Sequence, residues 1–200
     1  LRIAIQKARA ENMPKDNIDR AIERATGAGN VDNFDEISYE GYGPGGVAVV
    51  IRALTDNRNR TVGEVRSALT RAGGTLGESG SVAWMFDNVG LISVDPSGAD
   101  PEEIALIAID AGADDVSIDD GWLEVFTAVQ NLHIVQDALV AAGITVISAD
   151  PIMKPKATVA PDSASALKVI KLLEKLEDLD DVQTVYSNLE FTDELLAEAS

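Results

Sequence analysis

The sequence contains no cysteine, a single histidine and few basic residues for its length. With no cysteine among 200 residues, disulfide bonds and thiolate metal sites are excluded, and one histidine argues against a zinc or haem site. No apolar run approaches the roughly 20 residues that a membrane span requires, and the opening stretch lacks the order of a signal peptide. We therefore predict a cytoplasmic protein of one to three domains that uses no cofactor and contacts no membrane.

Positive charge is scarce and unevenly placed. The formal net charge is −18, made of +2 over residues 1–30, −3 over 31–90, −10 over 91–160 and −7 over 161–200. A total this negative argues against nucleic acid as a partner, but its distribution leaves the N-terminal end mildly basic. The acidic second half is interpreted as a solvated surface that keeps the protein soluble.

The periodicity of the apolar residues predicts an α+β fold. Two helix patterns, within residues 1–13 and 15–26, are separated by Pro14, which a helix interior does not tolerate. Leu1 has no N-cap before it, so we expect the sequence to begin partway through an element. After a linker at 28–35, strand patterns alternate with helix patterns.

The later elements form two series of the same order. The predicted strands are 36–41, 47–54, 82–86, 91–94, 115–119, 122–128, 144–148, 156–160 and 182–186, with a turn at 87–90. The predicted helices are 61–72 with a capping box from Thr61 to Glu64, then 100–112, 131–142 and 162–176. A β-α-β-β-α-β series lies inside another. We therefore predict a partial helical bundle at 1–30, a discontinuous ferredoxin-like domain of 36–88 plus 154–200, and an inserted ferredoxin-like domain at 89–153.

Few residue constellations suggest catalysis. His133 lies opposite the apolar face of its predicted helix and is interpreted as a surface histidine, and no nucleophile motif GxSxG is present. The pairs Asp114–Asp115 and Asp119–Asp120 lack the alternating ligands of a calcium loop and are interpreted as residues at strand ends and turns. The sequence therefore predicts a protein that is not an enzyme.

The glycine-rich run Gly41–Gly46 satisfies the pattern GxGxxG. A strand follows it, whereas a dinucleotide site needs a helix at that position. Two interpretations remain. The run is a connector that needs positive φ angles, or it is a loop on which Tyr42 offers a stacking face to RNA.

Arg58 and Arg60 lie just ahead of the predicted helix at 61–72. Backbone amides at a helix start favour anions, and two guanidinium groups would complete a phosphate grip. The alternative is a polar loop whose arginines pair with Asp56 or Glu64. The bases of the N-terminal helix pair, a loose helix-turn-helix, are further candidates for contact with a phosphate backbone: Lys7, Arg9, Lys15, Arg20 and Arg24.

Three groups of residues resemble the YebC/PmpR family. They are AENMPKDNI at 10–18 in the helical part, YEGYGPGG at 39–46 with TDNRNRT at 55–61, and LDDV at 179–182. The resemblance implies one helical and two α/β domains and no catalytic activity. It also implies a regulator that binds DNA, or a factor that acts on translation, as for mitochondrial relatives that activate cytochrome oxidase synthesis and bacterial relatives that help ribosomes through proline runs. Relatives begin with a basic helical segment that this sequence is expected to lack.

The preferred hypothesis is a translation factor directed to the ribosome or to RNA. Its basic N-terminal end and the loop with Arg58 and Arg60 would contact rRNA or tRNA phosphates. A DNA-binding transcriptional regulator is the alternative, although the acidic total disfavours a long duplex footprint. A ligand-sensing module is supported by fold analogy alone. No oligomeric state is predicted.

Overall fold

The computed structural model describes residues 34–119 and 122–192, together with Met13, Lys15, Ile18 and Leu195. The strands are β1 (Asp35–Tyr42), β2 (Ala48–Thr55), β3 (Thr75–Leu76), β4 (Phe86–Asp95), β5 (Asp115–Asp119), β6 (Trp122–Thr127), β7 (Thr145–Pro155) and β8 (Val182–Ser187). The helices are α1 (Arg58–Ala72), α2 (Pro101–Asp110), α3 (Leu132–Ala141) and α4 (Ser163–Glu177). The two predicted N-terminal helices lie outside the described residues, apart from Met13, Lys15 and Ile18.

The first sheet is antiparallel with the strand order β3-β1-β2-β8. Its central strand β2 is buried on both faces, as its nearly continuous apolar sequence predicts. Helices α1 and α4 cover one face, because the side chains that both helices turn inward are apolar. The buried residues of this layer are Val49, Ile51, Val65, Leu69, Leu172, Leu176 and Val182.

The second sheet is antiparallel with the order β5-β6-β4-β7, covered on one face by α2 and α3. The chain runs β-α-β-β-α-β through it, as predicted for the inserted module. Asp100 caps α2 by accepting from the amide of Glu102 at 3.0 Å, and Pro101 follows it, as predicted. The predicted hairpin of β5 and β6 is confirmed, with Asp119 opposite Trp122.

Two long strands join the sheets. β4 and β7 pair from Phe86 opposite Pro155 to Asp95 opposite Thr145. The pairing of β6 with β4 is shorter and begins only at Gly90. The near ends therefore extend beyond the second sheet and reach the uncovered face of the first one. A small apolar cluster forms there from Ala48, Val50, Val82 and Phe86.

The α+β class with one four-stranded sheet inserted into another is confirmed. The predicted outer β-α-β-β-α-β series is wrong, because the first sheet consists of β1, β2, β3 and β8 and takes no strand from residues 82–86 or 156–160. Two predicted strands and one predicted turn are therefore corrected. Residues 82–86 are not a strand: Ala83–Met85 form a 3₁₀ turn before β4 begins. The predicted turn at 87–90 lies inside β4, where pairing with β7 overrides the turn preference of Asp87, Asn88 and Gly90. Residues 156–160 are not a strand, since Val159 makes only an isolated bridge to Leu189. The proposed domain boundaries stay a prediction.

The run Gly41–Gly46 includes the end of β1 and leads to β2 through a 3₁₀ turn at Pro44–Gly46. Gly45 and Gly46 have φ angles of 69° and 78°, a region in which a side chain is strained. The interpretation as a connector that needs positive φ is therefore confirmed. Within the described segments, every helix is too short or too polar to cross a membrane.

Candidate nucleic-acid interface

Helix α1 begins at Arg58, three residues before the predicted capping box. Asn57 is its N-cap and accepts from the amide of Arg60 at 3.1 Å. The capping-box prediction at Thr61 is wrong, because the hydroxyl of Thr61 lies in the helix and donates to Asp181 at 2.7 Å. The helix ends at Gly73 in the left-handed conformation, as predicted.

Asp181 is the centre of a buried polar cluster at this helix start. Its carboxylate accepts from the hydroxyls of Thr55 at 3.0 Å and Thr61 at 2.7 Å. Arg60 donates to both carboxylate oxygens at 2.8 Å and also to exposed Asp56 at 2.7 Å. The guanidinium of Arg60, and after it the hydroxyl of Thr61, lower the pKa of Asp181. Asp181, directly before β8, thus joins the end of β2 to α1 and holds Arg60 in a fixed geometry.

Arg58 is placed differently. Its Nε lies 2.8 Å from a carboxylate oxygen of Asp35 at the start of β1, and both side chains are well exposed. That hydrogen bond lowers the pKa of Asp35. Because surface ion pairs contribute little to stability, a phosphate can replace Asp35 at small cost. Of the two predicted arginines, Arg60 pairs with Asp56, as the alternative interpretation proposed, and Arg58 remains accessible.

Tyr42 is half-buried beside the apolar cluster, and its hydroxyl donates to the carbonyl of Ser81 at 3.2 Å. The stacking role stays a prediction. The most exposed aromatic side chain nearby is that of Trp84, at 64% exposure, with its indole nitrogen bonded to the same carbonyl at 3.0 Å. The sequence pattern placed Trp84 on a strand face and so did not predict this exposure.

Buried Glu40 holds the segment that carries Trp84. Its carboxylate accepts from the backbone amides of Gly80 at 2.7 Å and of Val82 and Ala83 at 2.8 Å. Burial raises the pKa of Glu40, and the three amide donors outweigh burial, so that the pKa lies below its ordinary value. Glu40 therefore fixes the loop between β3 and β4.

The exposed side of α1 and α4, which we call the α1/α4 layer, concentrates the basic residues. Seven of the ten lysines and arginines between residues 34 and 192 belong to these two helices, which together carry a net charge of +4. Five of the seven were not among the predicted contacts and are all exposed: Arg66, Arg71, Lys168, Lys171 and Lys175. The net charge of long segments does not indicate these bases, because α4 lies in a segment of net charge −7.

The remaining predicted contacts belong to the N-terminal part. Lys15 is exposed and helical. Lys7, Arg9, Arg20 and Arg24 lie outside the described residues. Their contact with a phosphate backbone stays a prediction.

The inserted sheet has the opposite character. From residue 72 to residue 153 the sequence has no lysine or arginine and fourteen acidic residues. His133 is exposed on α3, as predicted. Among the side chains of the described ranges, no group of histidine, aspartate and glutamate is arranged to hold a metal ion. The molecule thus presents one basic layer and one strongly acidic module.

Comparisons with known proteins agree on one family. The profile described as TACO1/YebC second and third domain matches residues 34–189, and that of the TACO1/YebC protein N-terminal domain matches residues 1–28. A relative from Roseiflexus castenholzii, named "Probable transcriptional regulatory protein", is 57% identical over 199 residues, which are 98% of this chain and 78% of the relative. One of the same name from Herpetosiphon aurantiacus is 54% identical with the same coverage. The crystal structure of a conserved hypothetical protein from Aquifex aeolicus matches with a TM-score of 0.88 and 44% identity, over 98% of this chain and 81% of that one.

Proposed function

We propose, since the chain belongs to the TACO1/YebC family, that it is a non-enzymatic gene-expression factor of the cytoplasm that binds nucleic acid, and that its target is RNA at the ribosome. The observation that carries this proposal is the α1/α4 layer. The residues of its two helices carry a net charge of +4 in a chain of net charge −18, and five of their bases are exposed and lie outside the Asp35 and Asp181 contacts, so the layer offers a local site for phosphates. The predicted family resemblance is confirmed, and it supports a regulator that binds nucleic acid.

Lysines of α4 form the most regular part of this surface. Lys168, Lys171 and Lys175 follow i, i+3, i+7 spacing and so lie on one side of the helix. Lys168 and Lys171 make no ion pair with any residue in the described ranges, and Lys175 only approaches Asp178 at 3.9 Å. These ammonium groups are therefore available to neutralise phosphates. We add them to accessible Arg58 and to the N-terminal bases as proposed contacts.

The charge of the acidic module favours a short contact with RNA and disfavours a long contact with duplex DNA. A chain that lies along a duplex brings many phosphates close to its whole surface, and the fourteen acidic residues between 72 and 153 would repel them. A structured RNA can meet the α1/α4 layer alone. The alternative function, a DNA-binding transcriptional regulator, is favoured by the names of the relatives.

Reversing two charges of the layer is expected to weaken the binding of ribosomes. In the double variant Lys168→Glu, Lys171→Glu, the slope of log affinity against log salt should decrease by roughly 1.4, because each lost phosphate contact to a single strand removes roughly 0.7. Co-sedimentation of the full chain with ribosomes over a salt series measures this slope. The control Lys154→Glu, Lys156→Glu has the same net charge but lies on β7 and just after it, outside the layer.

The two outcomes separate the candidate functions. If both double variants sediment with ribosomes as the unchanged protein does, the layer is not the contact surface. Saturable binding to particular DNA sites at physiological salt, with no ribosome association, would favour the transcriptional alternative.

A further inference from the structure

A groove separates α1 from α4 at the surface of the basic layer. Its volume is about 410 Å³, within the range of roughly 300–1,000 Å³ that small-ligand sites occupy. Gly63 and Ala68 of α1 and Leu179 beyond α4 line its apolar part. The groove thus places a small apolar surface beside charged side chains of the two basic helices.

Three cations stand at this groove: Arg60, Arg71 and Lys175. Arg60 is fixed by its bonds to Asp181. Arg71 has no ion-pair partner among the described residues, and Lys175, whose side chain is 63% exposed, has only the distant contact with Asp178. Two exposed cations and one fixed cation therefore border an apolar surface, an arrangement that fits a ligand with both a flat apolar part and a phosphate.

Gly63 keeps the groove open. It is exposed in the interior of α1, where glycine destabilises a helix relative to alanine. A Cβ built at this position has no atom within 4 Å, so packing against the rest of the protein does not require a glycine. Close approach of a ligand to the helix backbone is a reason for glycine at such a site.

We propose that this groove receives one unpaired nucleotide of a single-stranded nucleic acid. The base lies against Ala68 and Leu179, as bases do against apolar side chains in other sites, and the flanking phosphates meet Arg71 and Lys175. The hydroxyl of Ser67 and the carboxylate of Glu64, which also line the groove, are hydrogen-bonding partners for the base edge. This inference rests on the proposed function and names the form of nucleic acid that the layer binds. A paired base cannot enter, because its edge and faces are already occupied in the duplex.

Filling the groove tests this inference. In the full chain with Gly63→Leu, we expect the affinity for a fluorescent 12-nucleotide oligouridine to fall at least about tenfold, while the affinity for an RNA hairpin with a short closed loop changes less than about twofold. The variant Gly63→Ala is the matched control. It should raise the melting temperature by about 2–3 °C through helix propensity and should weaken binding less than leucine does, which separates blocking from unfolding.

Further arms identify the ligand. Arg71→Gln with Lys175→Gln should weaken oligouridine binding more than hairpin binding, and oligothymidine measured beside oligouridine distinguishes DNA from RNA as the source of the unpaired strand. Uridine monophosphate should compete only weakly, because it lacks the second flanking phosphate. If Gly63→Leu leaves oligouridine binding unchanged, or weakens hairpin binding equally, the inference is wrong. The ribosome result with Lys168 and Lys171, which do not line the groove, would still decide the proposed function separately.

Discussion

Replacing Asp181 with alanine is expected to lower the free energy of unfolding by about 2–4 kcal/mol, because one buried carboxylate joins three elements. The change removes the charged acceptor of the fully buried hydroxyls of Thr55 and Thr61, which keep their contact with each other at 2.8 Å and their bonds to the backbone of Asn57. It also leaves the guanidinium of Arg60 with exposed Asp56 alone. Urea denaturation, followed by circular dichroism, measures this loss.

Asp56→Ala is the matched control for Asp181. It removes another partner of Arg60, but Asp56 is exposed at 46% of its side-chain surface, and exposed ion pairs contribute about 1 kcal/mol or less. An equal loss of stability in the two variants would contradict the central role that the structure gives to Asp181.

Acid should remove the same contribution. The folded state lowers the pKa of Asp181, so the stabilisation by its ionised form is present above the unfolded pKa of about 4 and is lost as the pH falls through the folded-state value. The difference in unfolding free energy between the unchanged protein and Asp181→Asn should therefore be constant above about pH 5 and shrink below pH 4. A difference that stayed constant down to pH 2 would show that the charge of Asp181 is not what stabilises the cluster.

The second large effect is expected from Glu40→Gln. Oε1 of Glu40 accepts from Gly80, and Oε2 accepts from Val82 and Ala83. An amide side chain replaces one of these acceptors with an NH₂ donor, which then faces at least one backbone N–H in a buried site. We expect a loss of about 2–3 kcal/mol, together with faster hydrogen exchange of the amides at 80, 82 and 83.

Glu36→Gln provides the comparison for Glu40. Glu36 lies four residues earlier on β1 and therefore on the same face of the strand, but it is exposed. Its substitution should change the unfolding free energy by less than about 0.5 kcal/mol. Hydrogen exchange at 80–83 that is as slow in Glu40→Gln as in Glu36→Gln would mean that the loop does not depend on this carboxylate.

The inserted module could be predicted from the sequence because its signals are local. Asp100 and Pro101 mark the start of α2. The spacing of Leu132, Val135 and Leu139 predicts the buried side of α3, and all three residues are buried. Each of these signals depends on neighbours within one or two helical turns.

The errors have long-range causes. The amides of Val82 and Ala83 bond to Glu40, more than forty residues earlier, so the alternating apolar pattern at 82–86 did not become a strand. Thr61 bonds to Asp181, 120 residues away in sequence, which removes it from a capping role. No local pattern carries that information.

The candidate site was predicted only in part. The sequence singled out Arg58 and Arg60 because they precede a helix, but their different roles depend on Asp35 and Asp181, which only the fold brings near. The lysines of α4 were not predicted, since Glu174 and Glu177 of the same helix mask their charge in any sum along the chain. The helical spacing of these lysines, unlike the charge summed along the chain, indicates one basic side of α4.

Because β4 pairs with β7, the inserted sheet can be removed from the chain or exchanged as one unit. The chain enters through Phe86 and leaves through Pro155, which lie opposite each other, and Val89 is still paired with Ile152 three residues further on. Replacing residues 90–151 with a two-residue Asn-Gly turn would close this ladder as an ordinary hairpin. A single deletion or insertion of DNA could therefore remove, add or exchange the acidic module. The strand order of the sheet that carries the basic helices would not change. The half with the basic helices and the acidic half of the molecule are thus free to evolve at different rates.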